Sequence, residues 1–304
     1  MTRLVVAVGG NTLAADGGFD AQRRTVRETA EDLAAAAGDA DLAVTHGNGP
    51  QVGHRLLEAA AADTPEKPLD ALVAETQASI GGLLTREPDA RLGRPTVGLL
   101  TRAVVDPDDS AFEDPTKPVG PRYTEAEADE RAFETRAVGE GDRPYRRVVP
   151  SPEPLSVPEA DAVDGLLSAG QAVVCGGGGG IPVTPDGDGV EAVVDKDHTT
   201  RILAAATDAD RLVFLTDVPY AYLGYGTDDQ RPIERATPAE IREHLADGAF
   251  GEGSMAPKMR ACARFAGAGG EAVVGSLDDP AAVLAGEAGT VVRTAGRSSA
   301  NSVL

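Results

Sequence analysis

Residues 172–183 read AVVCGGGGGIPV, an apolar run that leads into five consecutive glycines and a proline. A short apolar run bounded by glycine is typical of a buried strand in a parallel sheet. Glycine at the end of such a strand lets backbone N–H groups approach an anion closely. The G-K-[ST] signature of a Walker phosphate loop does not follow, however. The pattern therefore predicts a strand and a tight loop, with any phosphate-neutralising cation supplied by another part of the chain.

The same pattern of a strand followed by glycine occurs twice more, in VVAVGGN at residues 5–11 and in AVTHGNGPQVG at 43–53. The carboxyl ends of parallel strands meet at one edge of an open sheet, where ligands bind. These two loops add the amide side chains of Asn11 and Asn48, and Pro50 predicts a helix N-terminus directly after the second loop. Together they predict an oxyanion site, although each junction taken alone is more often a purely structural turn.

The rest of the chain alternates apolar runs with alanine-rich helical stretches, which predicts an α/β fold with parallel strands joined by crossover helices. We predict strands at 4–8, 42–45, 96–100, 172–175, 212–215, 272–274 and 291–293. We predict helices at 21–37, 50–62, 69–86, 199–206, 238–246 and 257–266.

Two segments break this alternation. Residues 107–150 are rich in proline and charge and too long for a structureless loop inside a compact domain, so we predict a small protruding subdomain. A Pro-Asp-Gly turn between apolar runs predicts a hairpin within 182–197. This hairpin would separate a first lobe, residues 1–197, from a second lobe, residues 198–304.

Charge and composition exclude several classes of partner. The 304 residues include 49 acidic and 28 basic side chains, for a formal net charge of -21, which argues against binding to nucleic acid or an anionic membrane. No apolar stretch approaches the roughly 20 residues of a membrane span, and no signal peptide is recognisable, so we expect a cytoplasmic protein. An acidic, lysine-poor chain also resembles proteins adapted to high salt. Cys175 and Cys262 are too few for a disulfide framework and are expected to be reduced packing residues.

Lysine is scarce, since 24 of the basic residues are arginines and the lysines are Lys67, Lys117, Lys196 and Lys258. In such a chain a lysine can mark a position that needs a compact ammonium group. Lys117 is flanked by prolines that stiffen its backbone, and Lys196 lies between Asp195 and Asp197. Lys258 falls in a predicted first helical turn, where a cation opposes the helix dipole unless a phosphate shares the site. A solvated surface lysine remains the alternative at each position.

The histidines give no sign of a metal site or a catalytic triad. His54, His198 and His244 lack both metal-ligand spacing and a serine partner. His46 lies beside the second glycine turn, where it would either donate to a ligand or play a structural role.

The motifs GGN, THGNGPQVG, PLDALVAETQASIG, DPTKPVGPRY, RRVVPSPEP, CGGGGGIPV, EAVVDKD, LTDV and GSMAPK follow the order and spacing of carbamate kinases, in the amino acid kinase fold family. The resemblance covers nearly the whole chain, and TKPVGP and DKD together are specific to this family. It implies a homodimer of three-layer αβα sandwiches, each with a mainly parallel central sheet. It also implies reversible phosphoryl transfer between ATP and carbamate, giving ADP and carbamoyl phosphate. Fermenting cells usually run this reaction toward ATP after arginine breakdown.

The resemblance also implies roles for individual residues. Lys196 and Lys258 would stabilise the transferring phosphoryl group and the nucleotide phosphates, with Asp197 holding both lysines. Lys117, from the lid-like 107–150 segment, would reach over the carbamoyl end. The carbamoyl phosphate would be cradled by Gly9, Gly10, Asn11, Gly47, Asn48 and Gly49, and the nucleotide side would include Thr216, Asp217 and Val218. Residues 1–197 would then form the carbamate lobe and 198–304 the nucleotide lobe.

Carbamate already carries an anionic oxygen, so the reaction needs alignment and charge neutralisation rather than a general base. Mg²⁺ would be held largely by the nucleotide phosphates and water, since the sequence shows no dedicated carboxylate cage. The chain departs from the family at His198, where relatives usually have an apolar residue, and at Ala256, where they usually have glycine. Two alternatives remain: another acyl-phosphate-forming kinase, such as one resembling acetylglutamate kinase, or a non-catalytic nucleotide sensor.

Overall fold

The computed structural model describes residues 2–10, 13, 18–62, 64–65, 67–86, 92–251 and 253–295. Eight strands form one central sheet, in which strands Glu271–Ser276 and Thr290–Val292 are antiparallel and every other neighbouring pair is parallel. From one edge to the other they are β14 (Arg235–Ala236), β16 (Thr290–Val292), β15 (Glu271–Ser276), β11 (Arg211–Thr216), β1 (Arg3–Val8), β2 (Asp41–His46), β9 (Ala172–Val174) and β3 (Thr96–Gly98).

Nine helices are present in the described part of the chain. They are α1 (Phe19–Ala37), α2 (Gly49–Ala62), α3 (Leu69–Leu84), α4 (Glu125–Asp129), α5 (Ala160–Ser168), α6 (Lys196–Ala206), α7 (Pro238–Ala246), α8 (Met255–Gly267) and α9 (Pro280–Ala285). A sheet buried on both faces by helices needs apolar side chains at consecutive strand positions, which is why its strands read as unbroken apolar runs.

Two hydrophobic clusters lie on opposite faces of the central sheet. On one face, Leu203 of α6 and Met259 of α8 pack with Phe214 of β11. On the other face, Leu33 of α1 and Ile80 of α3 pack against the remaining side chains of the same strands. The predicted α/β class, the three-layer sandwich and the mainly parallel sheet are therefore confirmed.

Smaller sheets flank this sandwich. One consists of β10 (Ile181–Val183), β4 (Arg102–Val105) and β8 (Pro154–Ser156), and a two-stranded ribbon consists of β12 (Ala221–Leu223) and β13 (Arg231–Ile233). In the 107–150 segment, β5 (Lys117–Tyr123), β7 (Tyr145–Val149) and β6 (Thr135–Ala137) form an antiparallel sheet of their own. Val119 and Val149 anchor this sheet on Val52 and Leu56 of α2.

The predicted division into lobes at residue 197 stays a prediction. Strands β1 and β11 lie on opposite sides of that boundary in the sequence and are neighbours in the central sheet. The predicted hairpin is reduced to a tight turn. There the N–H of Thr184 donates to the carbonyl of Asp188 at 2.8 Å, and the second arm forms a single antiparallel bridge, Val183 to Gly189, instead of a strand. No helix within the described ranges is long and apolar enough to cross a membrane.

Candidate functional site

The first two glycine loops meet at the carboxyl edge of the central sheet. Gly9 and Gly10 follow β1, and Gly47 follows the neighbouring β2. A Cβ atom at position 47 would lie 2.5 Å from the backbone nitrogen of Gly10, so the two loops touch and position 47 requires glycine. Gly49 is the first residue of α2. Asn11 lies outside the described residues.

The side chain of Asn48 is buried and bound to the protein. Its Nδ2 atom donates to Oγ1 of Thr76 in α3 at 2.9 Å, and that hydroxyl donates in turn to the carbonyl of Leu72 at 2.8 Å. The backbone carbonyl of Asn48 accepts the N–H of Val52 in the first turn of α2 at 2.9 Å. Asn48 therefore fixes the second glycine loop against two helices.

The five-glycine loop, residues 176–180, fits between side chains of neighbouring elements. A Cβ atom at Gly177 would lie 2.3 Å from Cγ of Gln77 and 2.5 Å from Nε2 of His46. At Gly178 it would lie 2.1 Å from Nδ2 of Asn48, and the φ of +64° there is also unfavourable for other residues. Gln77 Nε2 donates to the carbonyl of Gly177 at 2.8 Å. Close packing thus accounts for these glycines without invoking a ligand.

The N-terminal turns of α6 and α8 meet at Asp197, whose side chain is only 3% exposed. Lys196 donates to Oδ1 of Asp197, and Lys258 Nζ donates to Oδ2 at 3.1 Å. Lys258 also donates to the carbonyl of Ser254 at 3.1 Å. Both lysine side chains are largely buried, with 14% exposure at Lys196 and 12% at Lys258. The structure thus brings together three of the residues that the sequence analysis singled out.

The lysine cluster consists of Lys196, Asp197 and Lys258. It carries more positive than negative charge, since one carboxylate faces two ammonium groups. Burial is the main reason why the pKa of Lys258 is lowered, and the charge of Lys196 lowers it further, against the opposing effect of Asp197. An anion placed beside the two ammonium groups would relieve their repulsion. The Nζ atom of Lys196 also lies 5.9 Å from the centroid of the Phe214 ring.

The helix that carries Lys196 is tied to the glycine loops. In the buried interior, the hydroxyl of Thr200 in α6 lies 2.7 Å from that of Thr45 in β2. One residue earlier, the hydroxyl of Thr199 donates to the carbonyl of Gly179 at 2.7 Å. These bonds hold the lysine cluster in a fixed position relative to the loops at the sheet edge.

Lys117 approaches the same turn from the 107–150 segment. Its Nζ atom lies 3.4 Å from Oδ2 of Asp195, whose Oδ1 accepts the backbone N–H of Asp197 at 2.9 Å. Burial raises the pKa of Asp195, but the charges of Lys117 and Lys196 and the bond from the Asp197 N–H outweigh it. The net effect is a pKa below the usual range.

The residues predicted for the nucleotide side follow β11. Thr216 ends this strand, and its hydroxyl donates to Oδ1 of the exposed Asp217 at 2.9 Å. Val218 comes next and is half-buried. Because β11 pairs with β1, these residues lie at the same edge of the sheet as Gly9 and Gly10.

The described residues form no ready-made cage for a Mg²⁺ ion. Across the parts of the chain that the structure describes, no three His, Cys, Asp or Glu side chains are grouped for a metal ion. Asp195 and Asp197 are both engaged with ammonium groups. These ammonium groups are positively charged and repel a cation.

The two departures from the family pattern are accommodated locally. Ala256 is the second residue of α8 and is buried in the core with a negative φ, so its turn does not need glycine. His198 turns toward Glu153, with 3.7 Å between Nδ1 and Oε1, and burial lowers its pKa. The buried Cys175 and Cys262 are free thiols, as predicted, and burial raises the pKa of Cys175 to about 12.

Sequence reasoning missed several polar residues whose side chains hydrogen-bond to the glycine loops or to β2. They are Thr76, Gln77, Thr199 and Thr200, all of which are buried. Thr76 and Gln77 lie in the PLDALVAETQASIG motif. The available signal was their spacing of three or four residues from Val73 and Ile80, which places them on the apolar face of a helix.

Comparison with known proteins agrees with this geometry. A model described as the amino acid kinase family matches residues 2–276. The chain is 44% identical to the carbamate kinase of Halobacterium salinarum, covering 96% of this chain and 98% of that protein. This chain belongs to the carbamate kinases of the amino acid kinase family. The resemblance drawn from the motifs is therefore confirmed.

Other relatives show the same near-complete overlap. The carbamate kinase of Trichomonas vaginalis is 41% identical, over 95% of this chain and 99% of that protein. Among solved structures, the carbamate kinase from Giardia lamblia bound to AMP-PNP superposes with a TM-score of 0.87 at 36% identity. That comparison covers 96% of this chain and 98% of the Giardia chain.

Proposed function

We propose that this chain catalyses reversible phosphoryl transfer between ATP and carbamate, giving ADP and carbamoyl phosphate. The observation that carries the proposal is the convergence of Lys196 and Lys258 on Asp197 at the N-termini of two helices. The first of these helices, α6, is tied to the five-glycine loop by Thr199. Helix N-termini and ammonium groups together favour a multiply charged phosphate. Relatives named carbamate kinase, and one of them bound to the ATP analogue AMP-PNP, support carbamate and ATP as the substrates.

In the proposed reaction, an anionic oxygen of carbamate attacks the γ-phosphorus of ATP while the bond to the β-phosphate oxygen breaks. Negative charge spreads over the three equatorial oxygens of the transferring group. Lys196 and Lys258 would neutralise this charge, and backbone N–H groups of the loops around Gly10 and Gly47 would line the other side. The reverse reaction uses the same groups, with ADP oxygen attacking carbamoyl phosphate.

Asp197 would position the two catalytic lysines. Without this carboxylate, their like charges would drive the ammonium groups apart in a site that excludes most water. Lys117 would act on the carbamoyl end, since its 40% exposed side chain stands at the root of the 107–150 segment beside the same turn. Thr216, Asp217 and Val218 are proposed for the nucleotide side because of their place at the sheet edge.

Mg²⁺ would enter with the nucleotide and be held largely by its phosphates and water, because the described residues form no cluster of three metal-binding side chains. When bound there, the ion would neutralise phosphate charge.

Two alternatives receive less support. A kinase for a larger amino acid, such as acetylglutamate, would not be expected from relatives that are named carbamate kinases over nearly their full length. A non-catalytic nucleotide sensor would have no use for lysines held by a buried carboxylate at the phosphoryl position.

The cellular location, oligomeric state and direction of the reaction are proposed from the family pattern. We infer a cytoplasmic homodimer that makes ATP from carbamoyl phosphate during arginine breakdown, following the family pattern. The charge of -21 supports adaptation to high salt, because concentrated ions would screen repulsion among the acidic side chains.

A panel of phosphoryl acceptors tests the proposed function. Purified protein with ATP and Mg²⁺ is offered carbamate, glutamate, aspartate or acetylglutamate, and ADP formation is measured for each. The proposal predicts that, of the four acceptors, only carbamate supports ADP formation. A Lys258→Ala protein prepared in parallel controls for contaminating kinases. A preference for any of the other acceptors would refute it.

A further inference from the structure

Asp195 occupies a junction between the 107–150 segment and the lysine cluster. It is the N-cap of α6, and its Oδ1 accepts the backbone N–H of Asp197 at 2.9 Å. Its Oδ2 lies 3.4 Å from Nζ of Lys117 in β5. The two oxygens of one carboxylate therefore contact the first turn of its own helix and a strand residue 78 positions earlier in the chain.

The close contacts in this region are divided between the two carboxylates. Asp197 contacts Lys196 and Lys258, whereas Asp195 contacts Lys117 and acts on Lys196 only through its charge. If Asp195 were neutral, three ammonium groups would share one carboxylate, and Lys117 would lose the contact that opposes this repulsion. Its long, partly exposed side chain would then sample many rotamers.

We propose that Asp195 is a positioning residue, which aims the Lys117 ammonium group at the phosphoryl site while capping the helix that presents Lys196. The inference rests on the proposed function, in which Lys117 acts on the carbamoyl end. Asp195 itself would touch neither substrate. The competing explanation is that Asp195 serves only as a helix cap.

Substituting Asp195 with Asn separates these explanations. Asparagine caps helices about as well as aspartate, so Asp195→Asn keeps the cap and removes the charge that holds Lys117. Asp195→Ser is a second capping residue without charge. Asp279→Asn is the matched control, since Asp279 caps α9 by accepting the N–H of Ala282 at 3.2 Å, away from the lysine cluster.

The kinetic test measures kcat and KM for carbamoyl phosphate and for ADP with Asp195→Asn, Lys117→Ala and the double variant. We expect Asp195→Asn to lower kcat/KM for carbamoyl phosphate about tenfold, the equivalent of one charge-assisted bond, while KM for ADP stays unchanged. In the Lys117→Ala background it should change the rate by less than about twofold, because the two residues act as one unit. Independent, multiplying effects or a wild-type rate in Asp195→Asn would overturn the proposal.

A second readout does not depend on activity. With four lysines in the chain, protein carrying ¹³C at lysine Cε should give four NMR signals, and Lys117→Ala identifies one of them. Asp195→Asn should move the Lys117 signal and leave that of Lys67, which is exposed and paired with Glu75. An unmoved Lys117 signal refutes the role of Asp195. By contrast, a wild-type protein that makes no ATP from carbamoyl phosphate refutes the proposed function, and the NMR result still decides the role of Asp195.

Discussion

The Nζ atom of Lys258 lies 3.1 Å from Oδ2 of Asp197, and the other oxygen of the same carboxylate accepts a hydrogen bond from Lys196. Residues 61 positions apart thus form one unit in which a buried carboxylate fixes two ammonium groups. A carboxylate in this position reduces repulsion between the lysines without neutralising both of them. The remaining positive charge suits a group that becomes more negative during reaction.

Removing either ammonium group should slow turnover. We expect Lys196→Ala and Lys258→Ala each to lower kcat by about 10² to 10³, the usual effect of losing one positioned charge-stabilising donor. Steady-state kinetics in both directions would measure this. Lys67→Ala is the control, because Lys67 is exposed and paired only with Glu75 among its described contacts; equal rates in all three variants would contradict the assignment.

Arginine at position 258 should not substitute for lysine. Lys258→Arg keeps the charge, but the planar guanidinium is larger and does not match the point contact with Asp197 in a largely buried position. We expect kcat to fall at least about tenfold while the circular dichroism spectrum stays the same. A fully active Lys258→Arg enzyme would mean that charge alone is required at this position.

Replacing Gly178 with alanine should destabilise the fold more than the same change at Gly187, which also has a positive φ but has no neighbouring atoms near its Cβ position. Gly178→Ala would place Cβ 2.1 Å from the Asn48 amide, which is held by Thr76, so we expect about 3 kcal/mol of destabilisation and reduced activity. Gly187→Ala has a similarly unfavourable φ, +92°, but no atom within 4 Å, and should cost about 1 kcal/mol. Urea denaturation of both variants would compare them. Equal losses would show that backbone conformation, not packing on Asn48, is what matters.

Stability should depend on pH through His46. Burial lowers the pKa of this histidine to about 4, from an ordinary value of 6.5, so the unfolded chain binds a proton more readily than the fold does. The contribution of neutral His46 to the free energy of unfolding is fully present above pH 6.5. It is lost as the pH falls from 6.5 toward 4, by up to roughly 3 kcal/mol. Urea denaturation at several pH values should show that the free energy of unfolding changes less steeply with pH in this window for His46→Gln than for the wild type. The exposed His54, replaced by Gln, provides the control, and an unchanged slope in His46→Gln would refute the prediction.

The 107–150 segment should respond to ligands as a lid. Arg131 is exposed on it and is followed by Ala132, so it offers a trypsin site, whereas the base of the segment is anchored on α2 through Val119. We expect AMP-PNP with carbamate to slow cleavage after Arg131 by about threefold or more. Lys117→Ala should lose this protection. Identical digestion with and without ligands would argue against lid movement.

The sequence predicted the central layers well because long buried strands, such as β1 and β11, carry unbroken apolar runs. It did not predict β6, β12 or β14, which are only two or three residues long and depend on neighbours for their hydrogen bonds. Helix α6 begins three residues earlier than predicted, because Asp195 caps it and brings Lys196 into its first turn.

The scarcity of lysine and the family motifs singled out Lys117, Lys196 and Lys258, which the structure places beside Asp195 and Asp197. Their roles in the reaction stay predictions. The packing that supports these residues was not predicted. The five glycines gave no indication that they fit around His46 and Gln77, since such packing depends on elements about 100 residues apart that come together only in the fold. The contact between Asp195 and Lys117 was hidden for the same reason.

The most direct test of the central claim is a coupled assay of ATP formation from ADP and carbamoyl phosphate, run on the wild-type protein and Lys258→Ala side by side. We predict one ATP for each carbamoyl phosphate consumed by the wild type, and a rate lower by about 10² or more in the variant. A wild-type protein that forms no ATP, or a variant that forms it equally fast, would contradict the role proposed for the lysine pair held by Asp197.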